Sequence, residues 1–238
     1  MKPLRLVKLL PHPLHRSLLI FHFSFFIAHR SFLIFNFSLL IFHFSAAQTF
    51  TSQAIPDSVF QRMQGRSYPE GCTVARSDLR YLRLSHVDAE GQEHVGEMVC
   101  NKAIAQDLLE IFRELYRQRY PVERIRLIDD YGADDERSMR ANNTSCFCFR
   151  RVSGTQKLSK HARGLAVDVN TLYNPYVRTG RDGHRIVEPA TALPYVNRSR
   201  TFKYKIVRGD LLHRLFLQHG FTWGGAWRTM KDWQHFEK

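Results

Sequence analysis

The sequence lacks three features, each of which would have indicated a common class of protein. It contains no Gly-x-Ser-x-Gly motif, which argues against a hydrolase whose serine nucleophile lies on a strained turn. Arg30 interrupts the apolar N-terminal region, so no unbroken apolar run reaches the roughly 20 residues that a membrane span needs. Four cysteines in 238 residues exclude a disulfide-stapled mini-protein, and this length is sufficient to bury one full core.

The first 47 residues contain no aspartate or glutamate and differ in composition from the rest of the chain. Within them, residues 17–45 repeat a short apolar unit, as SLLIFHFS, SFLIFNFS and SLLIFHFS. We interpret residues 1–47 as an export signal or hydrophobic leader, with Arg30 as its basic part and Ser45-Ala46-Ala47 as its cleavage site. A transmembrane anchor and a true start further downstream are the alternatives. The expected location is the periplasm or cell envelope, with membrane contact only through an uncleaved leader.

The remainder of the chain is moderately basic, with 30 Lys and Arg against 22 Asp and Glu. These basic residues are spread from Arg76 to Arg228 and accompany no recognition motif, so no nucleic-acid partner is expected. A positive net charge also suits an enzyme that works on an anionic polymer. The length after the leader is that of one domain, and we expect a monomer.

The four cysteines are even in number, which suits an oxidising compartment. Cys72 and Cys100 flank a predicted hairpin and could pair across it. Cys146 and Cys148 are two apart on a predicted strand and would share a face, so a bond between them would be strained. Their spacing could instead bind a metal, but no second pair accompanies it. The preferred interpretation is that the cysteines are small buried apolar residues.

Hydrophobic periodicity predicts a mixture of short strands and two main helices. Alternating residues at 79–87 and 94–99 surround Asp88-Ala89-Glu90-Gly91 and predict a hairpin. Asn101 is a plausible N-cap for a helix that runs to about Arg119. The other predicted elements are a short helix at 57–63, strands at 125–128, 146–150 and 165–169, one or two helical turns at 134–141, a long surface loop at 170–201 and a helix at 210–219.

This pattern shows no strand–helix–strand alternation, so we expect an α+β fold. The expected architecture is a single compact domain with a small mixed or antiparallel sheet, two main helices and a cleft. Residues 48–78 are predicted to form an N-terminal arm, and residues 79–238 the functional domain.

The sharpest chemical signal is the stretch Ser159-Lys-His161-Ala-Arg-Gly164-Leu-Ala166-Val-Asp168. Gly164 and its β-branched neighbours favour a loop that leads into a strand, with Asp168 on the same face as two small residues. A histidine nitrogen and an aspartate oxygen brought together in this way are good zinc ligands. A catalytic zinc needs a third protein ligand, which His235 near the C-terminus can supply, leaving Asp232 as a base.

This pattern resembles that of the M15 zinc peptidases, which are D-Ala-D-Ala carboxypeptidases and dipeptidases and L-Ala-D-Glu endopeptidases of bacterial cell walls. The resemblance rests on Ser-x-His-x-x-Gly-x-Ala-x-Asp at 159–168, followed by Gly-Gly-x-Trp and Asp-x-x-His-Phe-Glu within 224–237. It implies one zinc ion per chain, held by His161, Asp168 and His235. The motifs within 224–237 slightly favour the endopeptidase branch of the family.

The resemblance also implies the remaining roles. Asp232 falls where many members carry the general base, usually a glutamate, and Glu237 is the alternative base. Arg150 is our first choice for the arginine that steadies the substrate carbonyl or carboxylate, and Arg140 is the second. Ser159 and Trp227 are predicted to help bind the substrate.

The sequence therefore predicts an exported zinc metallopeptidase that hydrolyses peptidoglycan stem peptides through a metal-activated water. It does not distinguish the D-Ala-D-Ala bond from the L-Ala-D-Glu bond. The alternative is a catalytically inactive relative that binds cell-wall peptides without cutting them.

Overall fold

The computed structural model describes residues 48–152 and 155–238, and the predicted leader lies outside these residues. The helices are Asp57–Met63 (α1), Lys102–Arg117 (α2), Asp135–Arg140 (α3) and Leu211–Gln218 (α4). The strands are Phe50–Gln53 (β1), Leu79–Val87 (β2), Glu93–Asn101 (β3), Arg124–Ile125 (β4), Asn143–Thr144 (β5), Ala166–Asp168 (β6), Tyr176–Thr179 (β7), Arg185–Glu188 (β8), Thr222–Trp223 (β9), Met230–Asp232 (β10) and His235–Glu237 (β11). This mixture of helices and small, mostly antiparallel sheets confirms the predicted α+β class.

The predicted hairpin is confirmed as β2 and β3, which pair antiparallel from Leu79↔Asn101 to Val87↔Glu93. Strand β1, from the predicted N-terminal arm, adds a third strand through antiparallel pairing with β2. The hairpin turns where the Asp88 N–H donates to the Gln92 carbonyl oxygen over 3.0 Å. The short helix expected at 57–63 is α1.

Helix α2 packs against this sheet and forms the centre of the core. It begins where the Asn101 side chain accepts a hydrogen bond from the Ala103 N–H, as expected of an N-cap. Its inner face consists of apolar residues at helical spacing, and these are Ile104, Leu108, Ile111, Phe112 and Leu115. Helix α4, capped by Asp210, packs on α2 and completes the pair of main helices.

Phe236 on β11 connects this core to the C-terminal strands. It is fully buried, and its ring stacks on that of Phe216 in α4 with centroids 4.3 Å apart. Successive side chains of a strand point to opposite faces, so burial of Phe236 turns His235 and Glu237 towards the other side. The aromatic core thereby fixes the direction of two polar side chains.

Two three-stranded sheets lie at the C-terminal end of the sequence. One has the order β6-β11-β9 and the other the order β10-β7-β8, and all their pairs are antiparallel. Only Trp233 and Gln234 separate β10 from β11 along the chain. The two sheets therefore meet at the Asp-x-x-His stretch.

The prediction of a strand at 146–150 is wrong, and the backbone hydrogen bonds of these residues explain why. The Phe147 N–H donates to the Val99 carbonyl oxygen, Cys148 to His161 and Phe149 to Ser67. Because consecutive residues bond to three separate segments, no ladder forms. The strand predicted at 125–128 is likewise shortened to β4 and followed by the 3₁₀ turn Ile128–Tyr131.

The prediction of a long surface loop at 170–201 is also wrong, because this region contains regular secondary structure. Strands β7 and β8 form a hairpin within it, and β7 also pairs with β10. A 3₁₀ helix, Ala190–Tyr195, follows the hairpin. Both strands are short, and β7 pairs with β10 more than 50 residues further along the chain, which local periodicity does not show.

All four cysteines are free thiols. Cys100, Cys146 and Cys148 are buried, which confirms for these three the interpretation as small apolar residues, and Cys72 is half-buried. Burial raises the pKa of each of these thiols. Within the described part of the chain, no helix combines the length and the apolar character needed to cross a bilayer.

Candidate active site

The Ser159–Asp168 motif folds so that His161 lines a cleft, with each of its ring nitrogens held by a neighbouring group. His161 begins the 3₁₀ turn His161–Arg163, and its backbone N–H donates to Ser159 Oγ over 3.2 Å. Its Nδ1 donates to the carbonyl oxygen of Cys146 over 2.7 Å. A carbonyl can only accept, so Nδ1 carries a proton, and Nε2 is turned towards Asp168 and His235.

Asp168 and His235 are cross-strand partners, because β6 and β11 pair with Asp168 directly opposite His235. Asp168 Oδ1 lies 3.0 Å from His235 Nδ1, and Asp168 Oδ2 lies 3.1 Å from His161 Nε2. The two histidine nitrogens, His161 Nε2 and His235 Nδ1, are 3.2 Å apart. The structure thus brings together the three residues that the sequence predicted as ligands.

His161, Asp168 and His235 form a triangle of candidate metal ligands, in which Asp168 turns a different oxygen to each histidine. Ligand bonds of about 2.0–2.2 Å give tetrahedral edges of about 3.3–3.6 Å, and the two histidine nitrogens lie 3.2 Å apart, close to that separation. Glu237 supports the arrangement, since its Oε2 lies 3.1 Å from His235 Nε2 and can accept that proton. Three ligand atoms, one from each of His161, Asp168 and His235, lie within 4.8 Å of one another and could hold a metal ion.

The electrostatics of the triangle favour a positive charge. Burial alone would lower the pKa of His235, but hydrogen bonds to Asp168 and Glu237 raise it to about 10. Burial would likewise raise the pKa of Asp168, but the charges and hydrogen bonds of His161 and His235 hold it well below its usual range. The same acidic surroundings that hold a proton on His235 would attract a metal cation.

The triangle lies in a cleft of about 540 Å³ with walls of both charge signs. Its acidic lining residues are Asp135, Asp168, Glu188, Asp232 and Glu237, and its basic ones are Arg150, Lys157, Lys160, Arg163 and Arg178. A peptide with amide and carboxylate groups could find partners for both in such a cleft.

Asp232, the predicted base, also lines this cleft, on β10. Its Oδ1 is shielded from solvent and has no hydrogen-bond partner, and the same is true of Oε1 of the neighbouring Gln234. Burial raises the pKa of Asp232 to about 7, against the opposing effect of His235. Buried polar atoms are normally paired, so these two oxygens mark a place for a water or substrate group.

The other predicted site residues divide into two groups. Arg150 lines the cleft, and its Nε forms an ion pair of 2.6 Å with Asp135 Oδ2. Trp227 also lines it, with its ring 5.4 Å from that of His235, as does Ser159. Arg140 is not among the described residues that line the cleft, and it pairs with Glu136 on the exposed side of α3 over 2.9 Å.

Sequence reasoning missed the wall formed by β7, β8 and β10. Tyr176, Arg178, Glu188 and Met230 all line the cleft from these strands, beside Asp232. Alternation along Tyr176–Thr179 was a weak local signal for a strand. Without the pairing to β10, nothing in the sequence relates those residues to Asp232.

Gly164 in the motif is required by two independent constraints. Its φ is +65°, in the left-handed region that favours glycine, and a Cβ there would lie 2.6 Å from Asn101 N. That approach is close because the Asn101 N–H donates to the Gly164 carbonyl oxygen over 2.9 Å. The glycine therefore joins the ligand loop to the start of α2.

We expect Gly164→Ala to lower the free energy of unfolding by more than about 1–2 kcal/mol, which is the cost of left-handed strain alone. Gly183→Ala is the matched control, because Gly183 also has a positive φ but an added Cβ would meet no atom within 4 Å. Urea denaturation of both variants measures the difference. An equal loss in the two variants would show that the contact with Asn101 is unimportant.

The comparisons with known proteins agree with this geometry. Residues 153–238 match a model of the M15 peptidase family described as D-alanyl-D-alanine carboxypeptidase. The match covers the ligand motif and the C-terminal strands and confirms the resemblance drawn from the sequence. No curated protein and no solved structure matches the chain.

Proposed function

We propose that this chain, whose residues 153–238 match a model of the M15 peptidase family, hydrolyses peptidoglycan stem peptides with the help of a zinc ion. The observation that carries the proposal is the convergence of His161, Asp168 and His235 beside the partnerless oxygen of Asp232. Two histidines and a carboxylate are a ligand set that zinc accepts, and three protein ligands leave a position open for chemistry.

A zinc ion bound here would supply Lewis-acid chemistry, acidifying a water molecule and polarising the scissile carbonyl. Asp232 would accept the proton of the attacking water and deliver it to the leaving amine. Arg150, fixed by its ion pair with Asp135, would stabilise negative charge on the carbonyl oxygen. Trp227 would cover the reacting atoms beside His235.

Asp232 suits the role of base better than Glu237 does. Glu237 is engaged with His235 Nε2 at 3.1 Å and so orients a ligand, whereas Asp232 Oδ1 has no partner. Carboxylates that orient a ligating histidine typically fix its tautomer and strengthen its binding. We assign base chemistry to Asp232 and positioning of His235 to Glu237.

This proposal includes export, with the protein acting in the periplasm or cell envelope where its substrate lies. It leaves open which bond is cut, because the ligand set and the base are common to both types of enzyme. Stem peptides of either type carry carboxylates, which the basic residues of the cleft could attract.

Mass spectrometry of muropeptides incubated with the full chain tests the proposal. We expect loss of a terminal D-Ala or release of the stem from L-Ala, and we expect a zinc chelator to abolish either product. Restoring zinc should restore cleavage. If zinc is bound and no muropeptide is cut, the peptidase proposal is wrong and the chain is better described as a binding protein.

A further inference from the structure

The small sheet β10-β7-β8 presents one face to the cleft in two cross-strand rows. In the first row, Tyr176 lies opposite Asp232 on one side and Glu188 on the other. In the second row, Arg178 lies opposite Met230. All five side chains line the cleft. Arg178 is thus the diagonal neighbour of Asp232, at the roughly 7–8 Å typical of such pairs.

Arg178 differs from Arg150 in that its charge has no close partner. Arg150 is neutralised by Asp135 at 2.6 Å. Among the described residues, by contrast, no carboxylate lies within the 4.0 Å of an ion pair from Arg178. Glu188, its diagonal neighbour on β8, acts on it only at longer range. A half-buried guanidinium that faces a cleft without a counter-charge is suited to bind an anionic group of a ligand.

We propose that Arg178 binds a free α-carboxylate on the residue that leaves during peptide hydrolysis. This inference rests on the proposed function, because the position of the reacting carbonyl follows from Asp232 and the ligand triangle. The carboxylate carbon of a leaving residue is three bonds from the scissile carbonyl carbon, roughly 3–4 Å away. A long side chain one row along the sheet from the base can reach that distance.

Two substrates share this chemistry. A terminal D-Ala carries its carboxylate on the carbon next to the leaving nitrogen, and a D-Glu linked through its γ-carboxyl also keeps its α-carboxylate there. Arg178 would therefore select a leaving residue with this free carboxylate in either case. It would discriminate against the same residue as a carboxamide, which has no charge to pair with the guanidinium.

The test compares each carboxylate substrate with its carboxamide, namely acetyl-D-Ala-D-Ala and an L-Ala-γ-D-Glu peptide with their amidated counterparts. The zinc-loaded full chain should prefer the carboxylate in whichever pair it cleaves. We expect Arg178→Gln to lower kcat/KM for that carboxylate by about 10- to 100-fold, the range for a charged hydrogen bond, and to leave the carboxamide almost unchanged. Arg178→Lys should recover part of the loss.

Arg185→Gln is the matched control, because it removes the same charge from the same hairpin at a residue that is exposed and outside the cleft lining. Circular dichroism checks that each variant folds. If Arg178→Gln does not fold, Arg178→Met is used in its place. If Arg178 only neutralises the charge of Glu188, Arg178→Gln should lower kcat/KM equally for the carboxylate and the carboxamide. That result would overturn the inference while leaving the proposed function intact. Failure of the unaltered chain to cut any of the four peptides would instead contradict the proposed function.

Discussion

Replacing His161 with alanine is expected to remove both metal binding and peptide cleavage. The substitution deletes the Nε2 atom that lies 3.2 Å from His235 Nδ1 and leaves two protein donors, one fewer than a catalytic zinc site needs. Because metal-ion catalysis is worth several kcal/mol of transition-state stabilisation, kcat/KM should fall by about 10³-fold or more. Zinc content after dialysis and muropeptide cleavage measure the two losses.

His184→Ala is the matched control for this prediction. His184 is exposed and does not line the cleft, so its removal changes histidine content without changing the ligand set. We expect wild-type zinc content and cleavage from this variant. A His161→Ala protein that keeps one zinc ion per chain would show that the ion binds elsewhere.

Replacing Asp232 with asparagine is expected to separate catalysis from metal binding. Asparagine has nearly the same shape, but its amide cannot accept the proton of the attacking water. General base catalysis typically contributes 10²–10⁴-fold, so cleavage should fall by about that factor while zinc stays bound. The measurements are kcat for a muropeptide and zinc content of the same sample.

Glu237→Gln provides the comparison within the site. Glu237 contacts His235, one of the proposed zinc ligands, through His235 Nε2. Loss of its carboxylate should therefore weaken zinc binding by about 10- to 100-fold. Cleavage should stay largely intact once zinc is saturating. If Glu237→Gln abolishes cleavage at saturating zinc and Asp232→Asn does not, the two roles are exchanged.

The sequence could place His161 near Asp168 because that part of the motif is local, and their role as metal ligands stays a prediction. From His161 to Asp168 the chain makes a 3₁₀ turn, a left-handed glycine and a strand, each of which has a recognisable residue pattern. The hairpin and the main helices were predictable for the same reason, since their periodicity and caps lie within one short stretch. Their existence did not depend on partners far along the chain.

The parts that escaped prediction depend on distant partners. Residues 146–150 alternate like a strand, but their N–H groups bond to three different segments. Arg178 is placed in the cleft by pairing with Met230, 52 positions later, which no local pattern reveals. The ion pair of Arg150 with Asp135 is similarly a product of tertiary packing. The domain limits, the leader and the roles of the site residues stay predictions.

The proposed base and two of the three proposed ligands belong to different sheets, and this division has a consequence for how the proposed activity could change. Asp168 and His235 are locked together in β6 and β11, whereas Asp232 and Arg178 belong to the sheet of the β7–β8 hairpin. The short Trp233-Gln234 link is anchored where the Gln234 carbonyl accepts from Val169. If the proposed function holds, substitutions in the hairpin, as in a directed-evolution library, should change substrate preference and leave the proposed metal ligands in place.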